Sequence, residues 1–269
     1  LLHKQPPWSW QGMRSWLPPG SPKSAAGTLP SFDSHNVTLL SWLSIAEFGA
    51  YANANDVWGY VSPSGREYAV FGLSAATAFV EVTNPANPEI VSVEPGGAAS
   101  LWRGVKVYQD RAYAVTEGGG GIQVFDLSNI DAGTVSFVGS VTTGGDPATH
   151  TLALDEASGF LYRCGGSFTE GLRIYDLDAG PLPVFVGAWS AMFVHECIVH
   201  TYTSGPYAGR EIAFCCAGFN GGAANTGLRI VDVTDKASPF LVKEVFYPGA
   251  EYAHQCWLSD DLQYLYLDD

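Results

Sequence analysis

The sequence predicts an all-β fold, and three observations support that prediction. First, 31 glycines and 16 prolines are spread along the 269 residues and divide the chain into short segments, which favours many turns over long helices. Second, these segments are short β-type runs, and helical heptads are absent. Third, one strand pattern recurs along the chain, which is typical of a repeat architecture.

The recurring pattern is a strand that ends in an acidic residue between apolar neighbours. The acidic residues, spaced by 45, 50 and 56 positions, are Glu81, Asp126, Asp176 and Asp232. A glycine cluster precedes each strand, two further β-type runs precede the cluster, and an apolar run after proline follows. Four strands in about 45–55 residues form the blade of a β-propeller. The alternative is a two-sheet sandwich. The same strand order recurs in four units, which argues against a sandwich.

The first strand of each unit opens with a polar residue. These strands begin with NDVWGY at 55, RGVKVY at 103, HTLALD at 150, HECIVH at 195 and HQCWLS at 254. Residues 35–269 are therefore predicted to hold about four and a half blades. Because open sheet edges invite aggregation, we expect the ring to be completed by further blades or by another subunit. A strand near Val37–Leu43 is expected to join the last blade and fasten the ring.

Residues 1–34 differ from the rest, because they are rich in proline, serine, glycine and tryptophan without a sustained period. They are predicted to form an extended arm that docks through its tryptophans, and a flexible linker is the alternative.

Charge and hydropathy exclude several classes of function. The chain has 13 basic and 27 acidic residues, a formal net charge of −14. Without a basic stripe, neither a nucleic acid nor an anionic membrane surface is an expected partner. No run of 18 apolar residues occurs, so no transmembrane segment is predicted.

Several strings in family order carry a resemblance to a known family. They are NDVWGY, WRGVKVY, AYAVTE, GIQVFDLS, GREI, LRIVDVTDKASP and YAHQCWLSDDLQYL. They resemble the choice-of-anchor B family, surface proteins built from LVIVD-type repeats, across residues 36–269. The resemblance implies a seven-bladed propeller, secreted or anchored at the cell surface, without an established enzymatic activity. The chain departs from the family pattern at Gly104, where aspartate is usual, and at Thr151, where asparagine is more usual.

The first strands also predict where a site would form. Strands around a propeller axis open at one end of the central channel, so the residues that begin them should meet there. The candidates are Asp56, Arg103, His150, His195 with Glu196, and His254 with Gln255. Hairpin register places Glu117 opposite Arg103, as a cross-strand ion pair, and Cys164 opposite His150.

Three imidazoles at one mouth are candidate metal ligands. His150, His195 and His254 would suit zinc, whereas carboxylates and carbonyls would suit calcium. The alternatives are a solvated structural network and a catalytic site. HECIVH is not a zincin motif, because its histidines are five apart on a β-type segment. The run GGGGI precedes a strand and is not a phosphate cradle, and no G-x-S-x-G elbow occurs.

Two covalent modifications are predicted. A turn centred on residue 206 makes Cys197 and Cys215 antiparallel partners, so a disulfide is expected between them, with two reduced thiols as the alternative. The other three cysteines, Cys164, Cys216 and Cys256, are left unassigned. Asn36 begins an Asn-Val-Thr glycosylation sequon.

Together these observations predict a non-enzymatic, secreted or cell-surface propeller that binds other surface proteins or glycans. The alternative is a metal-dependent enzyme at the channel mouth, with the three histidines as ligands and Glu196 as base.

Overall fold

The computed structural model describes residues 35–166, 170–218 and 223–269, and the predicted arm at 1–34 lies outside these ranges. Within them the only α-helix is α1 (Ile45–Phe48), where the Ser44 backbone N–H donates to the Glu47 carboxylate at 2.6 Å. Short 3-10 turns occupy Ile130–Ala132, Gly205–Tyr207 and Ala223–Asn225. No helix in the described ranges has the length and apolarity needed to cross a membrane.

Antiparallel β-strands make up the rest of the regular structure. The first blade contains β1 (Ala54–Val61), β2 (Glu67–Leu73), β3 (Ala76–Glu81) and β4 (Glu89–Pro95). The second contains β5 (Arg103–Tyr108), β6 (Arg111–Thr116), β7 (Ile122–Asp126) and β8 (Ser136–Val141). The third contains β9 (Thr151–Asp155), β10 (Phe160–Cys164), β11 (Leu172–Asp176) and β12 (Val184–Trp189). The fourth contains β13 (Val194–Thr201), β14 (Glu211–Ala217), β15 (Gly227–Asp232) and β16 (Phe240–Val245), and the fifth contains β17 (Gln255–Leu258) and β18 (Leu265–Asp268).

The strand order confirms the predicted architecture of four complete blades and two strands of a fifth. Each sheet runs in chain order from its first strand to its last. The first strands β1, β5, β9, β13 and β17 contact one another in succession and so form the inner wall. The fourth strands are largely exposed, and β16 is exposed along its whole length. The strand expected near Val37–Leu43 is not formed, since residues 37–44 have no regular structure.

The recurring aspartate of the third strand turns the chain toward the fourth strand. Asp126 accepts the backbone N–H of Ser128 at 2.8 Å, and Asp176 and Asp232 each accept the N–H two residues later at 2.9 Å. This Asx turn explains why the acidic residue repeats. Glu81 stands at the equivalent place in the first blade and instead binds the Arg66 guanidinium.

Every complete blade also carries a β-bulge between its third and fourth strands. The register shifts once in each of these pairs, which leaves one extra residue on the fourth strand. The four extra residues are all valines: Val91, Val138, Val186 and Val242. A bulge increases the local twist, so the repeated valine marks where each blade gains the twist that a propeller requires.

The hydrophobic core is divided among the seams between adjacent blades. Phe79 of the first blade packs edge-on against Phe125 of the second, with ring centroids 5.6 Å apart. Similar buried clusters join the second blade to the third, the third to the fourth, and the fourth to the fifth. Each blade is therefore stabilised mainly by its neighbours.

A buried carboxylate also links the third and fourth blades. Glu211, 4% exposed, accepts hydrogen bonds from Tyr162 and from Ser158 at 2.9 Å, both on the third blade. Lys236 of the fourth blade donates to its other oxygen at 2.6 Å. Burial and the Glu211 charge together raise the pKa of Tyr162, so its hydroxyl stays protonated and donates.

Two of the three predicted strand pairings are wrong by one residue. Arg103 lies opposite Thr116 and not Glu117, and Cys164 lies opposite Thr151 and not His150. The predicted ion pair between Arg103 and Glu117 is therefore not formed, because one step along a strand turns a side chain to the other face of the sheet.

The third pairing is confirmed, since Cys197 lies opposite Cys215. The predicted disulfide between them is nevertheless not formed, because all five cysteines are free thiols. The Cys197 sulfur lies 3.4 Å from that of Cys164 on the neighbouring blade, so the thiol is engaged across the seam.

Candidate functional site

Three histidines meet at one end of the inner strands and form the histidine row: His150, His195 and His254. The first and third directly precede β9 and β17, and His195 lies at the start of β13. The ring centroid of His195 is 4.2 Å from that of His150 and 4.6 Å from that of His254. The sequence prediction that successive blades bring these residues together is confirmed.

The row is extended by two further aromatic rings. Trp102, directly before β5, places its ring 5.5 Å from His150. Tyr252 meets His195 nearly edge-on with centroids 5.0 Å apart and also lies 5.8 Å from His254. The sequence analysis missed both rings, although each stands within two residues of a first strand's opening position.

Each imidazole of the row has a hydrogen-bond partner at Nδ1. His150 Nδ1 pairs with Glu117 Oε1 at 2.7 Å, and His254 Nδ1 with Asp268 Oδ2 at 3.3 Å. His195 Nδ1 donates to the His254 backbone carbonyl at 2.8 Å. Because a carbonyl only accepts, the neutral His195 ring carries its proton on Nδ1 and leaves Nε2 as an acceptor.

Burial keeps the central imidazole neutral. His195 is 4% exposed, whereas the side chains of His150 and His254 are 15% and 45% exposed. Desolvation lowers the pKa of His195 well below 6.5, and the charges of the two flanking histidines act in the same direction. The row therefore has a neutral centre and two ends that solvent reaches.

A second polar layer lies next to the row on the inner strands. Gln255 Nε2 donates to Glu196 Oε1 at 3.0 Å, and Asp56 Oδ2 accepts the Val105 N–H at 2.8 Å. Lys106 Nζ lies 3.6 Å from Asp56 Oδ2 and 4.3 Å from the centre of the Trp58 ring. Burial raises the pKa of Glu196, while the Gln255 hydrogen bond and the Lys106 charge oppose this rise and the Asp56 charge adds to it.

Backbone bulges position two of these residues. The register between β1 and β2 shifts at Asp56, and that between β13 and β14 shifts at His195. Asp56 also has φ 40°, which a residue with a side chain seldom adopts. Its carboxylate compensates by accepting the Val57 N–H at 2.9 Å in addition to that of Val105.

Arg103 is not part of the site. It is fully buried in the seam between the first two blades and donates to the carbonyls of Leu73 and Gly96, at 2.9 and 2.8 Å. Burial lowers its pKa to about 10. An added Cβ on Gly72 would lie 2.8 Å from the Arg103 Cβ, so the glycine makes room for this side chain.

The described residues do not form the predicted zinc or calcium site. No group of three or more His, Cys, Asp or Glu side chains in these ranges could hold a metal ion. The three imidazoles lie ring beside ring, with neighbouring centroids 4.2 and 4.6 Å apart. What the row offers is a set of ring surfaces bordered by carboxylates.

The fold and the row define the class of this chain, a β-propeller with a ring-lined site at one end of its inner strands. Neither a protein-family model nor a curated protein matches the sequence. Solved structures do match. A functionally unknown protein from Desulfotomaculum acetoxidans has a TM-score of 0.57 and 13% identity, with 81% of this chain and 63% of that chain covered.

Two further neighbours carry enzyme names. The periplasmic gluconolactonase PpgL of Pseudomonas aeruginosa has a TM-score of 0.54 and 12% identity, covering 78% of this chain and 61% of that chain. A candidate 6-phosphogluconolactonase from Bacteroides uniformis has a TM-score of 0.54 and 16% identity, covering 77% and 62%. The chain thus spans less than two thirds of the length of each neighbour. At these identities the likeness shows the propeller fold alone.

Proposed function

We propose that this chain is a secreted or cell-surface binding module of the propeller class whose ligand is a glycan. The observation that supports the proposal is the continuous row of five rings at one end of the inner strands, with neighbouring centroids 4.2–5.8 Å apart. Carbohydrates present apolar C–H faces to flat rings and hydroxyl groups to polar side chains. Trp102, His150, Tyr252 and His254 are partly exposed around the buried His195, so the row offers a surface of that kind at both of its ends.

The polar groups around the row suit a neutral, hydroxyl-rich ligand. Glu117 and Asp268 border it with side chains 43% and 71% exposed, and their carboxylates accept hydrogen bonds from hydroxyls. The net charge of −14 disfavours an anionic ligand. The same proposal includes three expectations from the sequence. They are membership of the choice-of-anchor B family, a location at the cell surface, and a partner subunit that completes the ring. One structural neighbour, PpgL, is itself described as periplasmic.

Glycan binding can be measured on an array of neutral oligosaccharides, followed by calorimetry with the strongest ligand. W102A should weaken binding by about tenfold or more, because a lost aromatic contact costs about 1.5 kcal/mol or more. W257A is the matched control, since Trp257 is 53% exposed on β17 and does not belong to the row. H254A tests the exposed end of the row independently. The proposal is wrong if no glycan binds, or if W102A and H254A bind like the wild type.

An enzymatic function is the second candidate, and one contact favours it. Glu117 and His150 form a carboxylate–imidazole pair at 2.7 Å, which orients the ring and leaves Nε2 free to act as a general base. Two structural neighbours carry lactonase names, so a lactone is the first substrate class to test. The test is lactone hydrolysis by the wild type and by H150Q. If H150Q abolishes the activity by lowering kcat while KM is unchanged, the enzymatic function is established and replaces the binding proposal.

A further inference from the structure

Four of the five cysteines lie in two pairs, and each pair spans a seam between successive blades. Cys164 on β10 of the third blade meets Cys197 on β13 of the fourth, with sulfurs 3.4 Å apart. Cys216 on β14 of the fourth blade and Cys256 on β17 of the fifth lie in one buried cluster at the next seam, where the Cys256 thiol donates to the Phe214 carbonyl at 3.3 Å. In both pairs the second strand of one blade meets the first strand of the next.

The two pairs occupy equivalent positions in the repeat. Cys197 and Cys256 each follow a histidine of the row by two residues. Cys164 lies opposite Thr151, and Cys216 lies opposite Glu196, so both stand opposite the residue directly after a row histidine. The same pairing therefore arises twice from one rule of the blade geometry. Chance proximity of thiols in a core would not follow that rule.

We propose that these pairs are two inter-blade disulfide sites, Cys164–Cys197 and Cys216–Cys256, with Cys215 remaining a thiol. The oxidant is a low-molecular-weight disulfide, as oxidising compartments supply. One thiolate of a pair attacks the oxidant, forms a mixed disulfide and releases one small thiol. The second thiolate then attacks the mixed disulfide and releases the other. Each protein pair loses two protons and two electrons, and the oxidant's sulfur–sulfur bond is reduced to two thiols.

The geometry supports bridging across the seam. A disulfide has a sulfur–sulfur length of about 2.05 Å, so the Cys164 and Cys197 sulfurs must approach by about 1.4 Å from their 3.4 Å separation. Cys215 is the competing partner, because it lies opposite Cys197 within the hairpin. Cys215 lies opposite Cys197 and not opposite a cysteine of the second pair. The Cys216–Cys256 pair therefore tests whether equivalent positions in the repeat form a bridge when no third cysteine competes.

Burial determines when the bridges can form. All five cysteines are buried, and the pKa values of the Cys164 and Cys197 thiols are raised, so little thiolate is present in the folded chain. We expect oxidation during folding, while the seams are open, and slow oxidation of the native protein.

The test is refolding of the full chain from denaturant with reduced and oxidised glutathione. Free thiols are then alkylated in denaturant, and peptides are mapped without reductant. We expect two linked peptides, Cys164–Cys197 and Cys216–Cys256, with alkylation at Cys215 alone. The thermal midpoint should rise by roughly 10 °C for each bridge and fall back after reduction.

Two variants test the two disulfide sites separately. C215S should keep both bridges, and C164S should keep Cys216–Cys256 alone, with Cys197 alkylated or linked to Cys215. The proposal is overturned if the wild type links Cys197 to Cys215, or if all five cysteines are alkylated after oxidative refolding. It is equally overturned if the chain folds in reductant but not in the glutathione mixture.

Discussion

Replacing His195 by asparagine tests whether the buried imidazole makes the propeller sensitive to acid. His195 is 4% exposed, and desolvation, followed by the charges of His150 and His254, holds its pKa well below 6.5. An asparagine amide can still donate to the His254 carbonyl, as the imidazole does at 2.8 Å, but it does not titrate. H195N therefore removes the titration and keeps the hydrogen bond.

The sign of the effect follows from proton binding by the two states. The unfolded chain protonates His195 near pH 6.5, whereas the folded chain binds that proton only at lower pH. Above about pH 6.5 the group leaves stability unchanged, and below it the free energy of unfolding falls by up to about 1.4 kcal/mol per pH unit. Between about pH 6.5 and pH 5 the loss reaches at most about 2 kcal/mol. H195N should lack this component.

The measurement is urea denaturation of the wild type and of H195N from about pH 5 to about pH 7.5. H200N is the matched control, because His200 lies on the same strand, packs edge-on against Tyr202 and is outside the row. We expect that H195N, and not H200N, reduces the fall in the free energy of unfolding below about pH 6.5. Parallel curves for the wild type and H195N, or equal flattening by H200N, would refute the reasoning.

Three further changes have definite expected outcomes. E211Q leaves the Lys236 ammonium, whose side chain is 13% exposed, without its anion. The free energy of unfolding, measured by urea denaturation, should fall by about 3–5 kcal/mol. A variant as stable as the wild type would contradict the role given to this pair. In G187A an added Cβ would lie 1.7 Å from the Lys236 carbonyl oxygen, so unfolding should become easier by about 3 kcal/mol or more. G180A, with no atom of the described residues within 4 Å of the added atom, is its control and should be nearly neutral. Asn36 is exposed, so expression through a eukaryotic secretory route should add a glycan that N36Q removes; identical masses would exclude occupancy.

The blades and the histidine row could be predicted because a repeat fixes both. Each unit presents the same strand order, and equivalent residues of successive units must meet around an axis. The exact hairpin register depended on loop length. The loop before β14 spans residues 202–210, which is an odd number of residues, so its centre is a residue. The assumption of a turn centred on a residue was right there, and it paired Cys197 with Cys215 correctly. The turn between β5 and β6 contains only Gln109 and Asp110, so its centre falls between residues and the assumed pairing missed by one.

Contacts across seams could not be predicted in the same way. The partner of Cys197 at 3.4 Å is Cys164, which belongs to another hairpin, so no register within one blade reveals it. The arrangement of the imidazoles has the same limit. The sequence placed three imidazoles together, but the contact of their rings at 4.2 and 4.6 Å depends on side-chain packing between blades.

The carboxylate that joins the third and fourth blades has a consequence for protein engineering. Blades are attractive units for transplantation, because each is a continuous segment of chain. A fourth blade moved alone would take Glu211 and Lys236 with it but leave the Tyr162 and Ser158 hydroxyls behind. The recipient would then have to supply two donors to an oxygen held out of water. The smallest unit that can be exchanged at this place is therefore the pair of blades, residues 151–245.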